Sequence, residues 1–119
     1  KENHAAACGG VAEAVKRGRA ATAQREKHPP IFVEAENMQE VMSLSALEPD
    51  RIMLDNMSND LLRQSVEYIR ANNPSIVIEA TGGYTLETVL TAAHTGVDLI
   101  SIGSLTHSAP ALDLSMLFD

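Results

Sequence analysis

The chain has 119 residues, 45% of them hydrophobic, and carries a formal net charge of −7 at pH 7. That length holds one modest core and falls short of the roughly 250 residues a closed eight-unit β/α barrel needs, so a barrel reading is confined to part of one. The negative charge, with no Trp and only two Tyr and two Phe, offers a nucleic acid little to bind or stack on, and no apolar run approaches the ~18 residues of a membrane span.

The chain opens on Lys1-Glu2-Asn3-His4, which reads as the turn just past a strand. Gly9 or Gly10 then precedes a helix with Val11, Ala14 and Val15 inward. The basic residues Lys16, Arg17, Arg19, Arg25 and Lys27 fall on a polar helix face and its tail, where charge is ordinarily solvated. Cys8 is the single cysteine, so an internal disulfide is excluded and a reducing compartment, the cytoplasm, is expected.

Four short apolar runs follow: Ile31 to Ala35, Arg51 to Leu54, Ser75 to Ala80 and Val97 to Ile102. Each is rich in Ile, Val or Leu and short enough for a buried parallel strand, and each is followed by a helix signal. After the first, Asn37 with Glu40 resembles a capping box, with Met38, Val41 and Met42 on one face. After the second, Ser58 or Asn59 caps a helix whose Leu62, Val66 and Ile69 form a stripe, closed by Asn72, Asn73 and Pro74. Thr85 is the cap expected in the third unit, ahead of Leu86, Val89, Leu90 and Ala93, with Gly96 ending the helix. A last short helix is expected around Ala109 to Met116. Strict alternation of strand and helix predicts an α/β fold with a parallel sheet, because parallel neighbours need a long return connection. Polar groups end every strand rather than only those beside one switch point, which favours a partial TIM-like β/α barrel over an open doubly wound sheet.

In parallel α/β folds the ligand lies beyond the carboxyl ends of the strands. Glu34, between Val33 and Ala35, faces opposite to both, and Asp55 stands at a strand terminus. Such carboxylates either hold ribose hydroxyls or a divalent cation such as Mg²⁺, or merely cap the next helix or pair with a cation. Thr81-Gly82-Gly83 and Gly103-Ser104 are phosphate candidates, since glycine lets backbone N–H groups approach an anion and the next helix turns its positive end toward the same point. Lys1 and His4 add positive charge and a donor at the same rim, although a terminal lysine is more often solvated. His94 and His28 read as packing or surface residues, and no zinc spacing, nucleophile elbow, Walker loop or dinucleotide fingerprint is present.

Five ordered motifs carry a family resemblance: Lys1-Glu2-Asn3-His4, Val33-Glu34-Ala35-Glu36-Asn37, Met53-Leu54-Asp55-Asn56-Met57, Glu79-Ala80-Thr81-Gly82-Gly83, and the run from Gly96 to His107. Together they resemble quinolinate phosphoribosyltransferase, the carboxylating nicotinate-nucleotide pyrophosphorylase, over nearly the whole chain. The resemblance implies that residues 1–119 are the C-terminal part of the barrel domain, with an N-terminal domain and the early barrel strands absent. It also implies a homodimer or higher assembly joining quinolinate to the ribose of phosphoribosyl pyrophosphate, with release of pyrophosphate and carbon dioxide. Carried onto matching positions, Lys1 contacts substrate, and Glu34 and Asp55 hold the ribose hydroxyls and associated Mg²⁺. Thr81, Gly82, Gly83, Ile102, Gly103 and Ser104 form a 5′-phosphate cradle with His107 beside it. Many relatives have Ser at Thr81 and Asp at Glu2; both changes keep the hydroxyl or the charge. The residues that grip the quinolinate carboxylates in the family lie in segments before Lys1, so the isolated chain is expected to be inactive. The competing readings are a related phosphoribosyltransferase with another acceptor, such as the molybdenum-transport-associated homologues, and a non-catalytic phosphate-binding half-barrel.

Overall fold

Residues 2–23, 25, 26 and 28–118 are described in the computed structural model. Four strands, β1 (Phe32–Ala35), β2 (Arg51–Asp55), β3 (Val77–Thr81) and β4 (Leu99–Ile100), form one sheet in the order β1-β2-β3-β4, and every pair is parallel. Helices α1 (Glu2–Cys8) and α2 (Val11–Thr22) precede the sheet; α3 (Met38–Ser45), α4 (Asn59–Asn72) and α5 (Val89–Ala93) cross between strands, and α6 (Ser104–His107) follows β4. Sequential parallel order with a helical crossover after each strand is the partial barrel expected from the alternation.

The pleat sorts the strand residues onto two unlike faces. Val33, Ala35, Ile52, Leu54, Ile78 and Ala80 point to one side and are buried against Val15, Val41, Leu44, Leu62, Val66, Ile69 and Ala92 of the helices. Phe32, Glu34, Arg51, Met53, Asp55, Val77, Glu79, Thr81 and Leu99 belong to the other side by alternation and register, and of these only Glu79 is buried. All the polar candidates on strands therefore lie on the face the helices leave open.

Local capping agrees with the sequence at two helices. The Asn37 side chain accepts from the Glu40 N–H at 3.0 Å, and the Glu40 carboxylate reaches back to the Glu36 N–H at 2.8 Å, so the first turn of α3 satisfies its own donors. Ser58 caps α4 by accepting from the Leu61 N–H at 3.3 Å, and Leu62, Val66 and Ile69 are its buried stripe.

Elsewhere the structure corrects the reading. Glu2–His4 begin helix α1 instead of forming a strand-end turn, since the run Asn3 to Cys8 is dominated by alanine, the best helix former. In α3 it is Leu44 that turns inward while Met42 is 46% exposed. Thr88, not Thr85, stands at the N-cap of α5, whose single buried residue is Ala92, and Leu86 and Leu90 are exposed. The helix is too short for Leu86 to share its inward face, because Thr85–Thr88 is spent on a turn in which the Thr88 N–H bonds the Thr85 carbonyl at 3.2 Å. The helix expected around Ala109 to Met116 is absent: α6 ends at His107, and residues 109–118 form no regular element. Leu112, Leu114 and Met116 recur every second residue, a spacing that cannot line one face of a 3.6-residue helix, and each is at least 78% exposed.

Candidate sugar-phosphate site

Because the strands are parallel, the residues that follow each one emerge on a common rim, and there the polar candidates gather. Asp55, the last residue of β2, lies in register with Thr81, the last of β3. One carboxylate oxygen of Asp55 accepts from the Thr81 hydroxyl at 2.8 Å and the other from the Asn56 amide at 2.9 Å. The carboxylate is thus aimed by both adjoining strand ends while staying partly exposed.

The turn after β3 is built around its glycine. Gly82 has φ +134°, which L side chains rarely adopt, and a Cβ there would meet the Asn56 Oδ1 at 2.6 Å. Asn56 itself sits at φ +50°, a left-handed conformation that asparagine tolerates better than most residues. A side chain at position 82 would therefore have to displace the Asn56 side chain. Asn56, Thr81, Gly82, Gly83, Tyr84 and Thr88 line a cavity of about 270 Å³ between them.

Tyr84, which also lines this cavity, was not singled out by sequence. Its hydroxyl is buried without a hydrogen-bond partner among the described residues. Burial, and after it the neighbouring Asp55 carboxylate, push the phenol above its ordinary pKa, so it stays a neutral donor. Nothing in the local spacing marks the hydroxyl of a tyrosine after Gly-Gly as buried; only packing shows it.

The turn after β4 brings Gly103, Ser104 and His107 together. The His107 N–H bonds the Gly103 carbonyl at 3.1 Å, and a Cβ on Gly103 would meet the imidazole at 3.3 Å, so His107 flanks the turn. Ile102, Gly103 and Ser104 occupy the same rim as Thr81–Gly83, one strand along.

Glu34 lies one residue short of the end of β1, level with Met53 and Glu79, on the open face between buried Val33 and Ala35. With His4, Cys8, Val15 and Phe32 it lines a separate, mainly apolar cavity of about 370 Å³. His4 is exposed on α1. Lys1 lies outside the described residues. The candidates thus fall into three groups: Asp55 with Thr81–Gly83, Gly103–Ser104 with His107, and Glu34 with His4. Among the described residues no helix is long and apolar enough to cross a membrane.

A second network missed by sequence lies deeper on the open face. Glu79 is 6% exposed and accepts from Arg51 at 2.7 Å and from the Ser101 hydroxyl. The signal was present in Val77-Glu79-Thr81, whose alternation sets the acid on the same face as Asp55 and Arg51.

Comparison with known proteins shows the family. The family described as quinolinate phosphoribosyl transferase, C-terminal domain, matches residues 1–117. A probable carboxylating nicotinate-nucleotide pyrophosphorylase of Synechocystis sp. is 42% identical over 117 residues, covering 98% of this chain and 38% of that protein. The Homo sapiens nicotinate-nucleotide pyrophosphorylase [carboxylating] is 36% identical over 116 residues, with the same two coverages, 98% and 38%. The solved nicotinate-nucleotide pyrophosphorylase from Francisella tularensis superposes with a TM-score of 0.83 at 32% identity, over 96% of this chain and 38% of that one. The chain accordingly spans a little over a third of the length of these relatives. On a match that runs almost from end to end, the chain belongs to the quinolinate phosphoribosyl transferase C-terminal domain family.

Proposed function

We propose that this chain supplies the ribose-phosphate half of the active site of an enzyme that transfers the phosphoribosyl group of phosphoribosyl pyrophosphate to quinolinate. The products are nicotinate mononucleotide, pyrophosphate and carbon dioxide. The observation that carries the reading is the pairing of Asp55 with Thr81, the residue before Gly82, which sets a carboxylate next to residues that line a glycine-bearing cavity. The curated relatives, named as carboxylating pyrophosphorylases, support the choice of acceptor.

In this reaction the quinolinate nitrogen bonds to the ribose C1 as the bond from C1 to pyrophosphate breaks, and the 2-carboxyl group departs as carbon dioxide with a proton taken up in its place. Positive charge develops on the ribose ring and negative charge on the leaving group. A carboxylate already oriented toward the sugar stabilises the first without reorganising, which is the larger part of electrostatic catalysis. Asp55 is held in one orientation by Thr81 and Asn56, which supports this role. Backbone N–H groups in the Thr81–Gly83 and Ile102–Ser104 turns would cradle the 5′-phosphate, where glycine permits close approach. No covalent nucleophile is needed.

Mg²⁺ fits the donor set in one particular way. Glu34 and Asp55 stand on the same face of adjacent strands, and Asp55 lies two residues beyond Met53, the partner of Glu34. That offset is about 7 Å along the strand, so the two carboxylates do not close on an ion by themselves. Among the described residues no three His, Cys, Asp or Glu side chains cluster as a metal site. Glu34 and Asp55 would therefore hold the ion together with substrate oxygens, the usual arrangement for Mg²⁺. When bound, it would neutralise charge on the leaving pyrophosphate.

The working enzyme is taken to be a cytoplasmic homodimer or higher assembly, in which the rest of the polypeptide provides the cationic groups for the quinolinate carboxylates. The test is turnover of the complete polypeptide, followed by carbon dioxide release, with quinolinate and with nicotinate as acceptors. Asp55→Asn is expected to lower kcat by roughly 10²-fold or more, the scale of losing one oriented charge at a developing one. Turnover of nicotinate in place of quinolinate, or full activity of Asp55→Asn, would overturn the proposal. The 119-residue chain alone is expected to release no carbon dioxide.

A further inference from the structure

Among the described residues Glu79 is the one charged side chain buried on the open face of the sheet, and its bonds run diagonally across three strands. One carboxylate oxygen accepts from the Arg51 guanidinium at 2.7 Å on β2, two residues nearer the amino-terminal rim; the other accepts from the Ser101 hydroxyl just past β4. Arg51 is steadied in turn by the Phe32 ring, 4.2 Å from its charged carbon to the ring centroid. Burying a carboxylate costs several kcal/mol unless it is paired and bonded, and here both oxygens are occupied.

The position of Ser101 gives the network its consequence. The β3–β4 ladder stops at the pair Ala80 and Ile100. Past it, the bonds that tie the chain to β3 come from Ser101, whose N–H donates to the Ala80 carbonyl at 2.9 Å and whose hydroxyl donates to Glu79. Ile102, Gly103 and Ser104 follow immediately, and beside Gly103 stands the exposed His107. The direction in which that turn leaves the sheet is therefore set at Ser101.

We propose that Glu79, anchored by Arg51, is a positioning residue that aims the Ile102–Gly103–Ser104 turn at the sugar phosphate through its bond to Ser101. This rests on the reading of that turn as part of a 5′-phosphate cradle. Glu79 does not touch substrate; it converts the rigidity of three strands into the placement of a short turn. A turn displaced by the loss of one oriented bond weakens phosphate binding and leaves the acceptor untouched.

The experiment uses the complete polypeptide and reads two quantities: Kd for ribose 5-phosphate by calorimetry, and KM for each substrate. Ser101→Ala removes one small donor and leaves the Arg51–Glu79 ion pair in place, and its melting temperature is read alongside. It is expected to raise Kd for ribose 5-phosphate and KM for phosphoribosyl pyrophosphate roughly tenfold, the scale of one charge-assisted hydrogen bond, with KM for quinolinate unchanged. Ser101→Thr, which keeps the hydroxyl, restores both. The double variant Arg51→Met/Glu79→Met replaces the ion pair by apolar side chains of similar length, a change that need not destabilise; it weakens phosphate binding by the same factor, and adding Ser101→Ala to it changes nothing further. An unchanged Kd in Ser101→Ala, or a parallel rise of both KM values with a falling melting temperature, overturns the positioning role. If the unsubstituted protein fails to bind ribose 5-phosphate, the cradle reading falls and the positioning role with it; if it binds and Ser101→Ala binds equally well, only the latter falls.

Discussion

Gly82→Ala isolates the close approach of the two turns that shape the candidate site. The substitution imposes two separable penalties. A Cβ must adopt φ +134°, a sparsely populated region for L residues that costs about 1–3 kcal/mol. It must also displace the Asn56 side chain, whose Oδ1 lies 2.6 Å from the new atom and whose Nδ2 donates to Asp55 at 2.9 Å. Releasing that bond adds about 0.5–1.5 kcal/mol, for a total of about 1.5–4.5 kcal/mol. Asn56→Gly removes the obstructing side chain and suits the φ of +50° there but also deletes the bond to Asp55, so the double variant should cost no more than Gly82→Ala alone, with the bond lost once and the backbone part kept. Urea denaturation of the complete polypeptide in the unsubstituted, two single and double forms gives the coupling as a cycle, with an expected interaction of about 1 kcal/mol favouring the double variant. The reasoning fails if Gly82→Ala costs less than about 0.5 kcal/mol, or if Asn56→Gly recovers the whole loss, since the backbone term of about 1–3 kcal/mol would then be absent.

Three further outcomes follow from the packing and caps. Burial pushes the Asp98 carboxyl up, but the Arg70 guanidinium at 2.6 Å and the Ile78 N–H at 2.7 Å outweigh it and hold it below its ordinary range. A depressed carboxylate stabilises the fold above its unfolded pKa of about 3.9 and loses that contribution as pH falls through the lower folded value; melting temperature against pH should therefore drop less steeply in acid for Asp98→Asn, and parallel curves would refute the assignment. Asn37→Ala should cost about 1 kcal/mol through the lost cap of α3, with Asn37→Ser close to neutral in the same denaturation assay. Leu54→Ala, at a fully buried position facing α3 and α4, should cost about 2–5 kcal/mol, and a loss under 1 kcal/mol would place Leu54 outside the core.

The elements that were legible from sequence are those whose signals are local. Asn37 with Glu40, and Ser58 ahead of the Leu62, Val66 and Ile69 stripe, name their helices because a cap and a 3.6-residue period need no distant partner. Leu86, Leu90 and the alternating leucines after Ala109 were misplaced for the opposite reason. Their burial depends on what stands opposite them, and apolar character alone does not say that nothing in the described chain does.

At the site, the Asp55 and Thr81–Gly82–Gly83 positions were readable because acid and glycine at strand ends announce themselves by type and place. Their contact was not: the 2.8 Å bond between Asp55 and Thr81 spans 26 residues and exists because β2 and β3 pair in one register. The buried Tyr84 hydroxyl and the Arg51–Glu79–Ser101 diagonal were likewise invisible in one dimension. Composition, alternation and caps determine by themselves that this polypeptide forms βα units with acids and glycines at the strand ends. Which acid meets which glycine, and which charge is taken out of water, is decided only when parallel strands lock their register, since a shift of one residue would turn every side chain to the opposite face.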